Sequence, residues 1–337
     1  MENLIFGAFA TLDGYREGDA ANLGRTVYDR CTVVALCSAK ACNPDCEVAL
    51  VGDTLQLKLN GTPGDATYHS VTDFTWRSSD EDIVTVDAGK LTAVGIEIWD
   101  CPFTTYRVPA DTNWALAYYK LCAMAWVLEN RNFARAAMLD LDTFTQRPLD
   151  DLWRECDEAV LLYQVPHAAS QTMTAAISRC FDAVEPDGAP HTLTHFGGEL
   201  VAGSRTRLTD FISLCRDYFE ELQAKGITPR EGDEAVWCGA AYRSLLAGKP
   251  VRAANAYIFR YWLGGHFYYV STNYTLDPVC ILHLPGAAKD RQLKLIYNGY
   301  ARRGVFPPLN KIYRLCGLPA AHPPLLRTVW TRLLAKL

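Results

Sequence analysis

The chain has 337 residues, of which 49% are hydrophobic and 21% are charged, with a formal net charge of −5. This composition is typical of a globular protein with a sizeable core, and no apolar run reaches the roughly 18–20 residues of a membrane-spanning helix. The opening residues, MENLIFGAFATLDGY, lack the basic leader of a secretory signal. We therefore expect a cytoplasmic protein whose twelve cysteines are reduced thiols.

The first fifty residues have the order strand, helix, strand. NLIFGAFATL (3–12) predicts a buried strand, residues 19–41 predict a helix, and CEVALVGD predicts a second strand. This order is typical of a parallel α/β sheet. The four cysteines of this segment contain no CxxC pair, so buried thiols are favoured over a structural zinc site: Cys31, Cys37, Cys42 and Cys46.

Residues 51–95 change the pattern. DTLQLKL, TDFTWRSS, DIVTV and KLTAV predict short alternating strands separated by Gly, Asp and Ser, with no long helix between them. We expect a small all-β insertion here. Its Trp-x-Ser-Ser-Asp and Gly-Lys-Leu-Thr-Ala-Val motifs resemble the bacterial Ig-like group 2 module. The segment is shorter than a free-standing module, which favours a packed β-subdomain.

The α/β pattern then resumes. GIEIWDCPF (95–103) predicts a strand, and NWALAYYKLCAMAWVLEN (113–130) predicts a helix because its apolar residues recur at helical spacing. AAML (136–139) predicts the next strand. Further along, residues 207–226 and 232–249 predict two more helices.

Two acids follow the strand at 136–139. Asp140 and Asp142 are two positions apart, so their side chains would point to the same side and their carboxylates would repel each other. Ligands bind beyond the carboxyl ends of strands in open parallel sheets, and hard divalent cations prefer carboxylate oxygens. The sequence therefore predicts a divalent metal between the two acids, able to bind a nucleotide diphosphate. The alternative is that one acid caps the following turn and the other is solvated.

Four segments, in chain order, resemble glycosyltransferase family 8, the group of glycogenin, galactinol synthase and lipopolysaccharide galactosyltransferases. They are AFATLDGYREGDAANLG (8–24), residues 119–153 with Asp-x-Asp, EGDEAVWCGAAY (231–242), and CILHLPGAAKD (280–290) with His-x-x-Gly-x-x-Lys. The resemblance implies an α/β fold, a GT-A-like, Rossmann-related mixed sheet with helices on both faces. It also implies a retaining, metal-dependent enzyme that moves glucose or galactose from a UDP-sugar to a hydroxyl acceptor.

The resemblance further implies roles for single residues. Asp140, Asp142 and His283 match the metal ligands, with Mn²⁺ or Mg²⁺ as cofactor, and Asp140 also lies near the ribose. Asp233 and Glu234 match an Asp-Gln pair beside the donor sugar and become the candidate catalytic residues. The other residues implied to bind the nucleotide sugar are Ala10, Asp13, Tyr15, Lys120, Gly286 and Lys289.

The chain departs from the family pattern in two places. In HFGGELVAG (195–203), Gly197 takes the Asn place and Glu199 the Gly place of the family's Phe-Asn-x-Gly. Asp290-Arg291 stands where Pro-Trp usually follows the loop lysine. GGELVAG and GDEAVW together also resemble the family 6 galactosyl- and N-acetylgalactosaminyltransferases. The departures at 195–203 and 290–291 concern the donor sugar and the acceptor pocket.

Charge is distributed unevenly along the chain. From Arg291 to the end there are nine Lys or Arg and no acid, so the preceding 290 residues carry −14, the difference between −5 and +9. We expect a transferase domain at 1–50 and 96–290, the β-insertion at 51–95, and a basic helical C-terminal segment at 291–337. Residues 322–337 predict an amphipathic helix, which either packs on the catalytic domain or binds an anionic membrane surface.

The expected partners are a UDP-sugar donor and a saccharide, lipid-linked or protein hydroxyl acceptor, with no nucleic acid. Two other functions are alternatives. A sugar-1-phosphate nucleotidyltransferase normally has a Gly-rich, basic loop after its first strand, which ATLDGYREGD is not. An Ig-like interaction protein with an inactive transferase domain would be favoured by loss of the metal ligands.

Overall fold

A computed structural model of the chain describes residues 2–10, 25–52, 88–109, 112, 114–165, 167–185, 194–261, 279–286 and 288–316. The strands of this part form two sheets. They are β1 (Asn3–Phe9), β2 (Glu47–Gly52), β3 (Glu97–Asp100), β4 (Arg135–Leu139), β5 (Thr143–Thr145), β6 (Val160–Val165), β7 (His195–Ser204), β8 (Val251–Ala253), β9 (Ile258–Arg260) and β10 (Ile281–His283).

The larger sheet has seven strands in the order β3-β2-β1-β4-β7-β6-β8. The first four strands of this order run parallel, and β7 is antiparallel to both of its neighbours, β4 and β6. The smaller sheet has the order β5-β10-β9. The chain is therefore a mixed α/β protein, and the direction of the strands changes beside β4.

Helices connect and cover the strands. They are α1 (Arg25–Cys42), α2 (Ala88–Ala93), α3 (Tyr119–Asn130), α4 (Asp150–Cys156), α5 (His167–Val184), α6 (Arg205–Ala224), α7 (Asp233–Leu246), α8 (Lys294–Arg303) and α9 (Leu309–Cys316). A 3-10 turn (Ala115–Tyr118) precedes α3, and a π-helical turn (Lys289–Leu293) precedes α8. The helices predicted within 19–41, 113–130, 207–226 and 232–249 are confirmed over their described residues as α1, α3, α6 and α7, with residues 115–118 forming the 3-10 turn instead.

The core lies on both faces of the larger sheet, because alternate residues of each strand point to opposite faces. Leu4 and Phe6 of β1 pack in one cluster with α3, α5, α6 and α7, whereas Ile5 packs in the other with α1, α4 and α8. A strand that is buried on both faces reads as a continuous apolar run, as β1 does. The expected helices on both faces are confirmed.

The predicted β-insertion lies mostly at residues 53–87, outside the described residues. Its ends differ from the prediction. Residues 51 and 52 belong to β2. KLTAV was predicted as a strand, but its first four residues lie in helix α2. The reason is that Leu91 is buried in the core beside α1, and Gly95, with a φ of +78°, ends the helical turn and leads the chain into β3.

The described part of the C-terminal segment, residues 291–316, contains α8 and α9, whereas the helix predicted at 322–337 lies outside the described residues. In the described part, every helix is too short or too polar to cross a membrane. The twelve cysteines are free thiols, and Cys31, Cys37 and Cys46 are buried in the core.

Candidate metal centre

The two predicted acids lie directly after β4, at the carboxyl edge of the parallel strands. Asp140 continues the ladder, since its amide donates to the carbonyl of Glu199 (3.0 Å), and the Thr143 hydroxyl closes the turn by donating to the carbonyl of Asp140 (2.8 Å). Leu141, between the acids, packs over Gly7 of β1, where any side chain would overlap it. Glycine at position 7 thus allows the turn to sit against the neighbouring strand.

The smaller sheet brings His283 to the acids. β10 pairs antiparallel with β5, so that His283 lies opposite Thr143, and the Leu284 amide donates to the carbonyl of Asp142 (2.8 Å). The Nε2 of His283 lies 3.0 Å from Asp142 Oδ1 and 3.7 Å from Asp140 Oδ2. One ligand atom from each of the three residues falls within 4.8 Å of the others. No other group of His, Cys, Asp or Glu among the described residues meets this geometry.

Each carboxylate also has a lysine beside it. Lys120, in the first turn of α3, places its Nζ 3.1 Å from Asp140 Oδ1. Lys289 places its Nζ 3.3 Å from Asp142 Oδ2, and the same ammonium donates to the Tyr28 hydroxyl (3.1 Å). The repulsion expected between the two acids is therefore offset by cations even without a metal.

These contacts set the protonation states of the centre. Burial alone would raise the pKa of Asp142, but Lys289 and His283 lower it well below its usual range. Burial dominates at Asp140 and raises its pKa, with Lys120 acting in the opposite direction. For His283, burial would lower the pKa, but the neighbouring carboxylates raise it to about 9. Without metal, His283 is thus a cation at neutral pH.

A second set of charged side chains lies behind His283. Glu199, fully buried on β7, accepts from both Nε and Nη2 of Arg260, the latter at 2.7 Å. The same Nη2 lies 3.1 Å from Glu234 Oε1, and the other Glu234 oxygen lies 2.6 Å from His195 Nε2. The Nδ1 of His283 lies 3.5 Å from Glu199 Oε1. Although burial would raise the pKa of Glu234, His195 and Arg260 lower it.

Asp233 connects to the centre through Lys120. Its Oδ2 lies 2.9 Å from Lys120 Nζ and accepts from Trp237 Nε1 (2.8 Å). Burial raises the pKa of Asp233 to about 6, against the effect of the lysine. A Cβ on Gly198 of β7 would lie within 3.0 Å of the side chains of Asp233, Lys120 and Trp237. Glycine at this position therefore allows the three side chains to meet.

The charges of this network do not balance. Five carboxylates and three permanently charged cations belong to it: Asp140, Asp142, Glu199, Asp233 and Glu234, with Lys120, Arg260 and Lys289. Five carboxylates against three such cations leave a difference of two charges. Without metal, the His283 cation offsets one of them, and a divalent cation that displaced its proton would offset both.

The donor set fits the predicted cofactor. Two carboxylate oxygens suit Mg²⁺ and Mn²⁺, and the imidazole favours Mn²⁺, which accepts both oxygen and nitrogen ligands. The Nδ1 of His283 faces Glu199, which leaves Nε2 on the side of the two aspartates. This is how histidine ligands are normally oriented by an outer carboxylate.

Of the remaining residues predicted to bind the nucleotide sugar, the structure describes Ala10 and Gly286. Ala10 directly follows β1 at the same sheet edge and packs, half-buried, on the core. Gly286, with a φ of +60°, forms the turn between His283 and Lys289, and its carbonyl accepts from the Lys289 amide (3.1 Å). Asp13 and Tyr15 lie outside the described residues.

Four residues of the charged network were not predicted from the sequence: Glu199, Arg260, His195 and Trp237. A signal for the first two was present, because each is a single charged residue within an apolar strand, in HFGGELVAG and in AYIFRYW. Buried charges are paired in folded proteins, so two such residues of opposite sign could have been predicted to meet.

Comparison with known proteins adds no family. No protein-family model matches the chain, and no curated protein matches it significantly. Any functional assignment therefore depends on the residues and the geometry of the site itself.

Proposed function

We propose that this protein is a metal-dependent glycosyltransferase that moves a hexose from a nucleotide diphosphate sugar to a hydroxyl acceptor. The observation that carries the proposal is the cluster of Asp140, Asp142 and His283 at the carboxyl edge of β4, with a lysine beside each aspartate. A site with two acids, one imidazole and two ammonium groups suits a ligand that combines a divalent cation with phosphates.

The architecture supports the same ligand. Nucleotides bind beyond the carboxyl ends of parallel strands, where the strand order changes direction. Here the chain runs outward from β1 through β2 to β3, and β4 then pairs in parallel with the other side of β1, so the strand order changes direction between β1 and β4. We infer a GT-A-like arrangement, in which the base and ribose lie near Ala10 and Asp140 and the diphosphate lies between Asp142 and Lys289.

The residues would divide the chemistry as follows. Asp140, Asp142 and His283 would hold a divalent cation, which would supply positive charge for the departing diphosphate. Lys289 stabilises the same charge by exchanging Asp142 for a phosphate oxygen, and Gly286 gives its turn the left-handed backbone that positions it.

A carboxylate near the sugar would stabilise the positive charge that develops at the anomeric carbon. Glu234 suits this role better than Asp233. Its pKa is lowered, so that it is ionised at neutral pH, and its side chain is 18% exposed, compared with 3% for Asp233. Asp233, held by Trp237, instead positions Lys120.

We propose UDP-glucose or UDP-galactose as the donor and retention of the anomeric configuration, both from the family resemblance.

The proposal is tested by incubating the full chain with a panel of UDP- and GDP-sugars and measuring free hexose. We expect hydrolysis of one UDP-hexose with Mn²⁺, none with chelator, and none for Asp142→Asn. Release of pyrophosphate from UTP and a hexose 1-phosphate would instead indicate a nucleotidyltransferase. A chain that binds no nucleotide sugar under any condition would contradict the proposal and favour the inactive-domain alternative.

A further inference from the structure

The pairing of Glu199 with Arg260 lies next to the metal centre, on the side of His283 Nδ1. Glu199 is fully buried on a strand that is otherwise apolar, and Arg260 is 11% exposed. Replacing a buried ion pair by apolar side chains is often neutral for stability or favourable. Stability alone therefore does not account for two charged groups at this position.

The strands bring both groups close to His283. β9 and β10 are parallel, with Arg260 directly beside His283 in the register, and β7 supplies Glu199. The Glu199 oxygen that receives the Arg260 Nε also lies 3.5 Å from His283 Nδ1. The other ring nitrogen, Nε2, lies 3.0 Å from Asp142 Oδ1. The imidazole is thus held between an outer carboxylate and the two acids of the centre.

Position 197 shows that the fold makes room for this pair. A Cβ on Gly197 would overlap the Glu199 carboxylate and would lie 2.6 Å from Arg260 Nη2. In addition, His283 Nδ1 is buried and has no hydrogen bond of normal geometry with any described residue, so Glu199 is the group available to it. Hydrogen bonds of this kind are often long before the ligand is bound.

We propose that Glu199, held by Arg260, is a positioning residue that keeps the proton of neutral His283 on Nδ1 and leaves Nε2 free to bind the metal. This inference rests on the proposed metal site. Which nitrogen of a histidine binds a metal is set by the hydrogen bond of the other, and an outer carboxylate also makes the ligand more basic. Arg260 prevents the Glu199 side chain from turning away.

Glu199→Gln tests this role with little change in the size of the side chain. The amide NH₂ of Gln would replace one of two oxygens that both accept from Arg260, so the side chain would lose one of its two bonds to the arginine. An uncharged amide that is held less firmly no longer fixes the proton of His283 on Nδ1, and the tautomer with the proton on Nε2 cannot bind a metal through Nε2. We expect a 10–100-fold loss of Mn²⁺ affinity, the range for loss of an outer ligand partner.

The experiment measures Mn²⁺ binding to the full chain by electron paramagnetic resonance, and the His283 tautomer by ¹⁵N NMR of the Mg²⁺-loaded protein. The matched control is Glu185→Gln, which removes the acid of a similarly enclosed pair with Arg243 away from the centre. We expect the control to bind Mn²⁺ as the wild type does. We expect wild-type His283 to carry its proton on Nδ1 and Glu199→Gln to lose that state.

The results distinguish a failure of the positioning role of Glu199 from a failure of the metal site on which it rests. No Mn²⁺ binding by the wild type would contradict the proposed metal site itself. Normal Mn²⁺ binding by Glu199→Gln, with the proton still on Nδ1, would overturn the positioning role and leave the metal site intact. If Glu199→Gln does not fold, Glu199→Leu/Arg260→Met replaces both charges by apolar groups, and it should show the same loss of affinity.

Discussion

Asp142 has two cationic partners in the metal-free protein, Lys289 and His283, and metal binding would change both contacts. The sequence predicted repulsion between Asp142 and Asp140, which is the effect of two acids considered alone. The structure adds a lysine to each, so a metal would replace existing positive charge rather than fill an empty space. Metal affinity should therefore depend on the proton carried by His283.

The first prediction concerns pH and His283. Its pKa is raised from 6.5 to about 9 in the folded protein, so the folded state binds more protons between these values and loses stability as pH rises through them. The loss should be about 3 kcal/mol, at roughly 1.4 kcal/mol for each pKa unit. Urea unfolding between pH 6.5 and 9 measures it.

His283→Gln is the control for that prediction, because it removes the titrating group and should show a much flatter profile. Saturating Mn²⁺ should also flatten the wild-type profile, since a metal-bound imidazole is neutral in this range. Equal slopes for the wild type and His283→Gln without metal would show that His283 is not a cation in the folded protein.

The second prediction separates the two candidate catalytic acids. Glu234→Gln should retain metal-dependent UDP binding but lose transfer by about a hundredfold or more, because the charge that stabilises the anomeric carbon is removed. Asp233→Asn should reduce transfer less and should weaken UDP binding through Lys120. Initial rates and calorimetry on both variants measure the split. Normal turnover by Glu234→Gln would remove it from the mechanism.

At the scale of elements, the long periodic segments were predictable and the short paired ones were not. The helix 207–226 and the strand after residue 135 carry strong local patterns. β5, β9 and β10 have three residues each, and β5 pairs with β10 across more than 100 residues of the chain. The three residues of the candidate metal centre could be predicted because the acids and the histidine lie in motifs, but Glu199 and Arg260 could not be paired without the smaller sheet.

The third prediction tests the turn that carries Lys289. Gly286 has a φ of +60°, and no atom of the described residues lies within 4 Å of an added Cβ; Gly304, at the end of α8, has a φ of +68° and the same open space among those residues. Alanine at either position should cost about 1 kcal/mol of stability, through backbone strain alone. Only Gly286→Ala should also weaken UDP binding, as measured by calorimetry. Equal UDP affinity in both variants would show that this turn does not position Lys289.

At the scale of the whole molecule, the net negative charge lies in residues 1–290 and the net positive charge in residues 291–337. The described part of the C-terminal segment exposes six cations that form no ion pair with another described residue: Arg291, Lys294, Arg302, Arg303, Lys311 and Arg314. Leu295 and Val305, 47% and 61% exposed, lie among them. Attachment of this segment to an anionic membrane stays a prediction.

The fourth prediction tests that attachment. Each basic residue near an anionic bilayer contributes about 1 kcal/mol, so Arg302→Glu/Arg303→Glu should lower binding to phosphatidylserine vesicles at least tenfold in sedimentation. Arg154→Glu/Lys225→Glu makes the same change of charge elsewhere and should have little effect. Equal loss in both variants would indicate net charge rather than a binding segment.

The central claim is that Asp140, Asp142 and His283 bind a divalent cation together with a nucleotide diphosphate. Calorimetry of UDP binding with Mn²⁺ and with chelator, for the wild type and Asp142→Asn, tests it most directly. We expect tight binding only for the wild type with Mn²⁺, and a Mn²⁺ affinity that rises when UDP is present. Wild-type UDP affinity that is unchanged by chelator would contradict the account, because the two acids would then not form a metal site.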